Sequence, residues 1–189
     1  MPATKTIYLS LGSNLGDRAA HLTAAIDALA SAGIRVTKQS SFYATEPVDL
    51  PTQQWFLNCC LEAETALMPR QLLHALREIT KNIGGKKIVR KGPRAMDIDI
   101  LLYGSSVIRT ADLEIPHPRL TARRFVLVPL AEIAPALRHP LLKRTVADIL
   151  AVCPDPARVR LWRKPVGTTV RCTDSGGPVK FIGPETSKT

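Results

Sequence analysis

Two carboxylates, Asp97 and Asp99, interrupt the apolar run Met96-Asp97-Ile98-Asp99-Ile100-Leu101-Leu102-Tyr103 at a spacing that fits chemistry better than packing. Side chains on a strand alternate, so the two acids share one face, about 7 Å apart along the chain, while Ile98, Ile100 and Leu102 turn to the other. Like charges that close are costly without a cation between them, and oxygen donors of this kind suit Mg²⁺ with phosphate oxygens completing its octahedron. The same pattern also describes the solvated face of an edge strand. The neighbouring residues favour the metal. Gly84-Gly85-Lys86-Lys87-Ile88-Val89-Arg90-Lys91 brings four cations on a flexible start, a loop able to close over an anion, and Arg94 stands just before the acids. Downstream, Pro116-His117-Pro118-Arg119 and Arg123-Arg124-Phe125 add an imidazole and three guanidinium groups, whose forks match phosphate oxygens.

Other elements must hold these residues in place. Residues 6–11 are apolar and β-branched enough for a buried strand, and Gly12-Ser13-Asn14-Leu15-Gly16 reads as a turn first and a phosphate contact second, because it lacks dinucleotide-loop spacing. A helix follows, with Asp17 at its start, Leu22, Ala25, Ile26 and Leu29 as its apolar stripe, and Gly33 as its stop. Residues 34–43 alternate as a second strand, and two prolines make 44–51 an exposed loop. Residues 55–64 resume as a strand with Phe56, Asn58, Cys60 and Glu62 on one face. Asn58 either caps a bulge there or, beside an aromatic ring, offers an amide to the edge of a flat heterocycle. A second helix starts at Pro69, carries Leu72, Leu73, Leu76, Ile79 and Ile83, and ends at Gly84. After the Asp97 strand come a short hairpin near 107–108, a proline-flanked His117 in extended conformation, a short helix from the apolar run 125–130 through 133, and another at 146–152.

This order predicts an α/β (α+β) fold of the ferredoxin-like sandwich kind: a mostly antiparallel sheet with helices packed on one face and the site on the open face. One domain is expected over residues 1–164, with 165–189 a weakly ordered tail, since its composition turns rich in Pro, Gly, Ser and Thr. The chain of 189 residues is 45% hydrophobic and shows no apolar run of membrane-spanning length, and residue 5 leads straight into a strand rather than a signal peptide, so a cytoplasmic protein is expected. Its four cysteines lack zinc spacing and read as buried thiols. A net charge of +10 calls for an anionic partner. Nucleic acid is the obvious rival, but acids at the centre of the basic region repel a bare phosphodiester, and 5% aromatic content leaves few rings for base stacking. No nucleic-acid and no membrane partner is expected.

Five motifs, in order, resemble the 6-hydroxymethyl-7,8-dihydropterin pyrophosphokinase family of folate biosynthesis. They are Leu11-Gly12-Ser13-Asn14-Leu15-Gly16, Ser41-Phe42-Tyr43-Ala44-Thr45-Glu46-Pro47, Phe56-Leu57-Asn58, Gly92-Pro93-Arg94-Ala95-Met96-Asp97-Ile98-Asp99, and Pro116-His117-Pro118-Arg119 with Arg123-Arg124-Phe125. The resemblance covers residues 6 to about 150. It implies transfer of the terminal pyrophosphate of ATP to the pterin hydroxymethyl group, with release of AMP, by a monomer acting on small molecules. On this resemblance Asp97 and Asp99 hold two Mg²⁺ ions. Phe56 and Phe125 sandwich the pterin, and Asn58 with Thr45, Pro47 and Val48 bonds its edge. Arg94, His117, Arg123 and Ile100 contact ATP, with Arg90 and Lys87 arriving on the loop. Gly85 and Lys91 stand where the family usually has an arginine and an aromatic, which implies a less firmly held closed loop and leaves an inactive pterin or ATP sensor as a third reading.

Overall fold

The structure, a computed structural model, describes residues 3–46, 54–84 and 95–163. In chain order its elements are β1 (Lys5–Ser13), α1 (Arg18–Ser31), β2 (Ile34–Gln39), β3 (Tyr43–Thr45), β4 (Phe56–Thr65), α2 (Pro69–Gly84), β5 (Asp97–Tyr103), the small hairpin β6 (Ile108–Arg109) and β7 (Glu114–Ile115), α3 (Arg124–Ile133), α4 (Val146–Ala151) and β8 (Val159–Leu161). β1 lies between β4 and β5 and is antiparallel to both. β2 and β3 follow one another along the other edge of β4, and β8 extends the sheet beyond β3.

Alternation along the strands divides the sheet into two unlike faces. Ile7, Leu9 and Leu11 of β1 and Leu57, Cys59 and Leu61 of β4 point to the side where Leu22, Ala25 and Leu29 of α1 and Leu72 and Leu76 of α2 meet them. Each fully buried leucine contributes roughly 1.5–3 kcal/mol of transfer free energy, so this layer carries most of the drive to fold. α1 is delimited as its sequence requires: the Asp17 side chain accepts from Ala20 N at 3.0 Å, and Gly33 leaves the helix at φ 75°, a left-handed conformation that glycine adopts at no steric cost.

The other face is not left open. Tyr8, Cys60, Leu101 and Leu102 pack there against Val126, Leu127 and Leu130 of α3 and Val146 and Ile149 of α4. The α+β antiparallel sandwich expected from the element order is present, but its helices lie on both faces. The apolar stripes of α3 and α4 have no other surface to bury against, and they cover only part of this second face. Asp155 Oδ2 accepts from Arg124 N at 2.8 Å at one end of α3, and at the other Glu132 accepts from Ser41 and from the Tyr43 hydroxyl.

Residues 34–43 form two strands rather than the single one expected. Ser40 donates its backbone N–H to Cys60 O while its hydroxyl accepts from Cys60 N, both at 2.9 Å, so a side-chain oxygen stands in for the ladder carbonyl and the chain turns out of register before Tyr43. Thr45, placed in a loop by the two prolines, ends β3 instead. β1 runs on through Gly12 and Ser13, where a turn was expected. Cys59 and Cys60 are buried thiols, as expected, and burial pushes Cys59 up to about 12. No helix among the described residues is long and apolar enough to cross a membrane.

Candidate active site

The register of β5 on β1 sets Asp97 opposite Gly12 and Asp99 opposite Ser10. Gly12 in turn faces Asn58, and Ser10 faces Cys60, across the β1–β4 ladder. By strand alternation both carboxylates, Asn58 and Phe56 therefore project from the second face. Asp97 and Asp99 are partly exposed there, while Asn58 is buried.

A bulge in β5 prepares the next residue. The β1–β5 register shifts so that Leu9 pairs with Ile100 and Tyr8 with Leu102, leaving Leu101 as the extra residue. Its carbonyl accepts from His117 N at 2.9 Å, which ties the histidine to the strand that carries the acids. His117 Nδ1 accepts from Arg119 N at 3.1 Å, so the ring proton resides on Nε2, and Nε2 lies 3.8 Å from Asp99 Oδ2. Burial, with the cationic Arg123 and Arg119 adding to it and Asp97 opposing, lowers His117 from 6.5 to about 4. The imidazole is neutral at physiological pH and presents an N–H toward the acid pair. With Nδ1 already engaged, it is suited to donate to a phosphate oxygen and not to take a proton.

Arg123 begins α3 in extended conformation, with its guanidinium carbon 5.2 Å from the centroid of the half-buried Phe125 ring. Across the sheet, Asn58 Nδ2 donates to Thr45 Oγ1 at 2.6 Å. A Cβ at position 12 would stand 2.5 Å from Asn58 Oδ1, so only glycine lets the amide lie over β1 in this pose. Asn58 pairs in regular register with Gly12 and with Tyr43, which removes the bulge-capping reading of it. Thr45 is opposite Phe56 on β3 and β4.

The structure thus brings Asp97, Asp99, His117 and Arg123 into one electrostatic neighbourhood, and sets Thr45, Phe56 and Asn58 together on the same sheet face. The Ile100 side chain belongs to the α1/α2 core, opposite to the acids, so only its main chain could meet a ligand on the site face. Lys87, Arg90, Arg94, Pro47 and Val48 lie outside the described residues. The Gly12–Asn58 approach and the Leu101 bulge escaped the sequence reading, since both depend on strand register and leave no local signal.

Among the described residues no three His, Cys, Asp or Glu side chains converge as a metal cage. Two co-facial carboxylates suit Mg²⁺, which keeps waters and completes its shell with substrate phosphates, better than a metal held by protein ligands alone.

Residues 8–135 match the family model of 7,8-dihydro-6-hydroxymethylpterin-pyrophosphokinase. The 2-amino-4-hydroxy-6-hydroxymethyldihydropteridine pyrophosphokinase of Aquifex aeolicus is 41% identical over 143 residues, covering 76% of this chain and 89% of that one. The folic acid synthesis protein fol1 of Pneumocystis carinii is likewise 41% identical over 76% of this chain, but the match spans only 20% of its length. In fold, the chain is similar to wild-type HPPK-DHPS of Plasmodium falciparum, with a TM-score of 0.63 and 16% identity over 79% of this chain and 43% of that one. On the strength of the family match and these relatives, the chain belongs to the 7,8-dihydro-6-hydroxymethylpterin-pyrophosphokinase family.

Proposed function

We propose that the chain is a 2-amino-4-hydroxy-6-hydroxymethyldihydropteridine pyrophosphokinase of folate synthesis, a cytoplasmic monomer that transfers pyrophosphate from ATP to the hydroxymethyl group of the reduced pterin. The observation that carries this reading is the placement of Asp97 and Asp99 on the sheet face that also holds the Asn58–Thr45 pair.

In the reaction the pterin hydroxyl oxygen bonds to the β-phosphorus, the bond from that phosphorus to the oxygen bridging to the α-phosphate breaks with its electron pair left on that oxygen, the hydroxyl proton passes to solvent water, and AMP leaves. Positioning and charge neutralisation dominate such a transfer. Asp97 and Asp99 would hold two Mg²⁺ ions, which supply charge neutralisation to phosphate oxygens. His117 Nε2–H and the Arg123 guanidinium donate to ATP phosphates, and Arg94, Arg90 and Lys87 add cations. Asn58, oriented by Thr45 and by the bare Cα of Gly12, reads the pterin edge. Phe56 and Phe125 stack on its faces, Arg123 covering one side of the Phe125 ring.

The test is direct. Protein, ATP, Mg²⁺ and 6-hydroxymethyl-7,8-dihydropterin are mixed and the nucleotide products separated; AMP and the pterin diphosphate are expected in equal amounts. Release of ADP, or no product from a chain that binds both substrates, would overturn the assignment.

A further inference from the structure

The last described stretch, residues 155–162, contains β8, whose ladder sets Val159 opposite Thr45, and beyond that ladder its polar side chains make three further contacts, each one residue away from a proposed pterin contact. Asp155 accepts from Arg124 N at 2.8 Å, next to Phe125. Arg158 grips Glu46, next to Thr45: its Nε donates to Glu46 Oε1 at 2.6 Å, its backbone N–H to Glu46 Oε2 at 3.0 Å, and its carbonyl accepts from Glu46 N at 3.2 Å. Arg158 and Arg160 set their guanidinium carbons 5.8 and 5.4 Å from the Trp55 ring centroid, next to Phe56. The stretch is itself anchored, since Ala157 N donates to Asp155 Oδ1 at 2.9 Å, Trp162 N donates to Phe42 O at 2.8 Å, and the Phe42 and Trp162 rings pack 6.1 Å apart.

An exposed ion pair is worth little for stability, commonly under about 1 kcal/mol. The contacts of Asp155, Arg158 and Arg160 come in addition to the β8–β3 ladder and fall on the neighbours of three proposed substrate contacts, so they are better explained by placement than by folding energy. We infer that residues 155–162 are a strap that sets the spacing of Thr45, Phe56 and Phe125, with Asp155, Arg158 and Arg160 as positioning residues for the pterin. This rests on the pterin site proposed above and adds to it a determinant outside the five family motifs. The guanidinium groups act through Glu46 and Trp55 and need not touch substrate.

The experiment titrates the full chain with 6-hydroxymethyl-7,8-dihydropterin and, separately, with Mg²⁺ and a non-hydrolysable ATP analogue, for Arg158→Ala, Arg160→Ala, Asp155→Ala, Arg160→Lys and a reference variant, Asn58→Ala. Misplacement of a contact by a fraction of an ångström predicts about tenfold weaker pterin binding in each strap alanine variant, with nucleotide affinity within about twofold of the parent and recovery in Arg160→Lys, which keeps a cation on Trp55. A Trp162→Phe background leaves Trp55 as the sole reporter, and its emission is expected to shift in Arg160→Ala before any ligand is added. Unchanged pterin affinity in all three strap variants while Asn58→Ala weakens it would overturn the strap alone. Equal weakening of pterin and nucleotide binding with a fallen Tm would reduce the stretch to a structural role and overturn it too. Unchanged affinity in Asn58→Ala, or no pterin binding by the parent chain, would remove the pterin site and the strap with it.

Discussion

The two faces of the sheet are made from the same three strands by the same alternation, yet one is uniformly apolar and the other is mixed. Ile7, Leu9 and Leu11 face α1 and α2, while their neighbours Tyr8, Ser10 and Gly12 face the site; Leu57 and Cys59 are set against Asn58 and Cys60, and Ile98 and Ile100 against Asp97 and Asp99. One strand thus carries an unbroken apolar row on one parity and the polar groups of the candidate site on the other. The mixed face holds its polar groups at the cost of giving each a partner: Tyr8 donates to Glu62 at 3.0 Å, Asn58 to Thr45, and no buried side-chain polar atom among the described residues lacks a hydrogen bond.

The contrast can be broken from either side. On the mixed face, Asp97→Ala and Asp99→Ala should each lower kcat by about 10²–10³-fold or more, as loss of one preorganised electrostatic group does elsewhere, with Tm and pterin affinity kept. A steady-state AMP assay beside thermal unfolding checks this, and a variant that turns over normally would sever the acids from the reaction. On the apolar face, Leu9→Ala should cost about 2–5 kcal/mol in denaturant unfolding while the folded fraction keeps its kcat, because the side chain is fully buried against α1 and α2 and touches nothing of the site. A kcat that falls with stability intact would show that the parities are coupled. Between the two faces stands Gly12→Ala, in which the added methyl must displace Asn58: an increase of about tenfold in pterin KM with ATP KM unchanged is expected, and an unaltered pterin KM would show that the amide has room to give.

The alternation and the helix stripes were readable from the chain because they are local: Leu22, Ala25 and Leu29 signal α1 by spacing alone, and Asp97 and Asp99 declare a shared face without any knowledge of neighbours. What was not readable depends on contacts between distant segments. Ser40 interrupts a well-alternating run only because the backbone N–H of Cys60 is opposite to donate to its hydroxyl oxygen. β8 has three residues and takes its strand character from β3, more than a hundred positions earlier. α3 and α4 have ordinary amphipathic patterns that do not say which face of the sheet they will cover. For the candidate site, the acids, His117, Asn58 and the phenylalanines stand out by residue type alone, whereas the need for a bare Cα at Gly12 exists only once β1 and β4 are in register.

At the Leu101 bulge the β1–β5 ladder gives way to a contact with His117. Because a main-chain carbonyl of β5 accepts from the His117 amide, the main chain that carries the imidazole is tied to backbone two residues along the strand from Asp99. Exchange of Leu101 for another aliphatic residue therefore leaves that main-chain bond in place, because its carbonyl is common to every residue. A transplant of this centre into another scaffold would have to copy the extra residue before it copied any of the side chains.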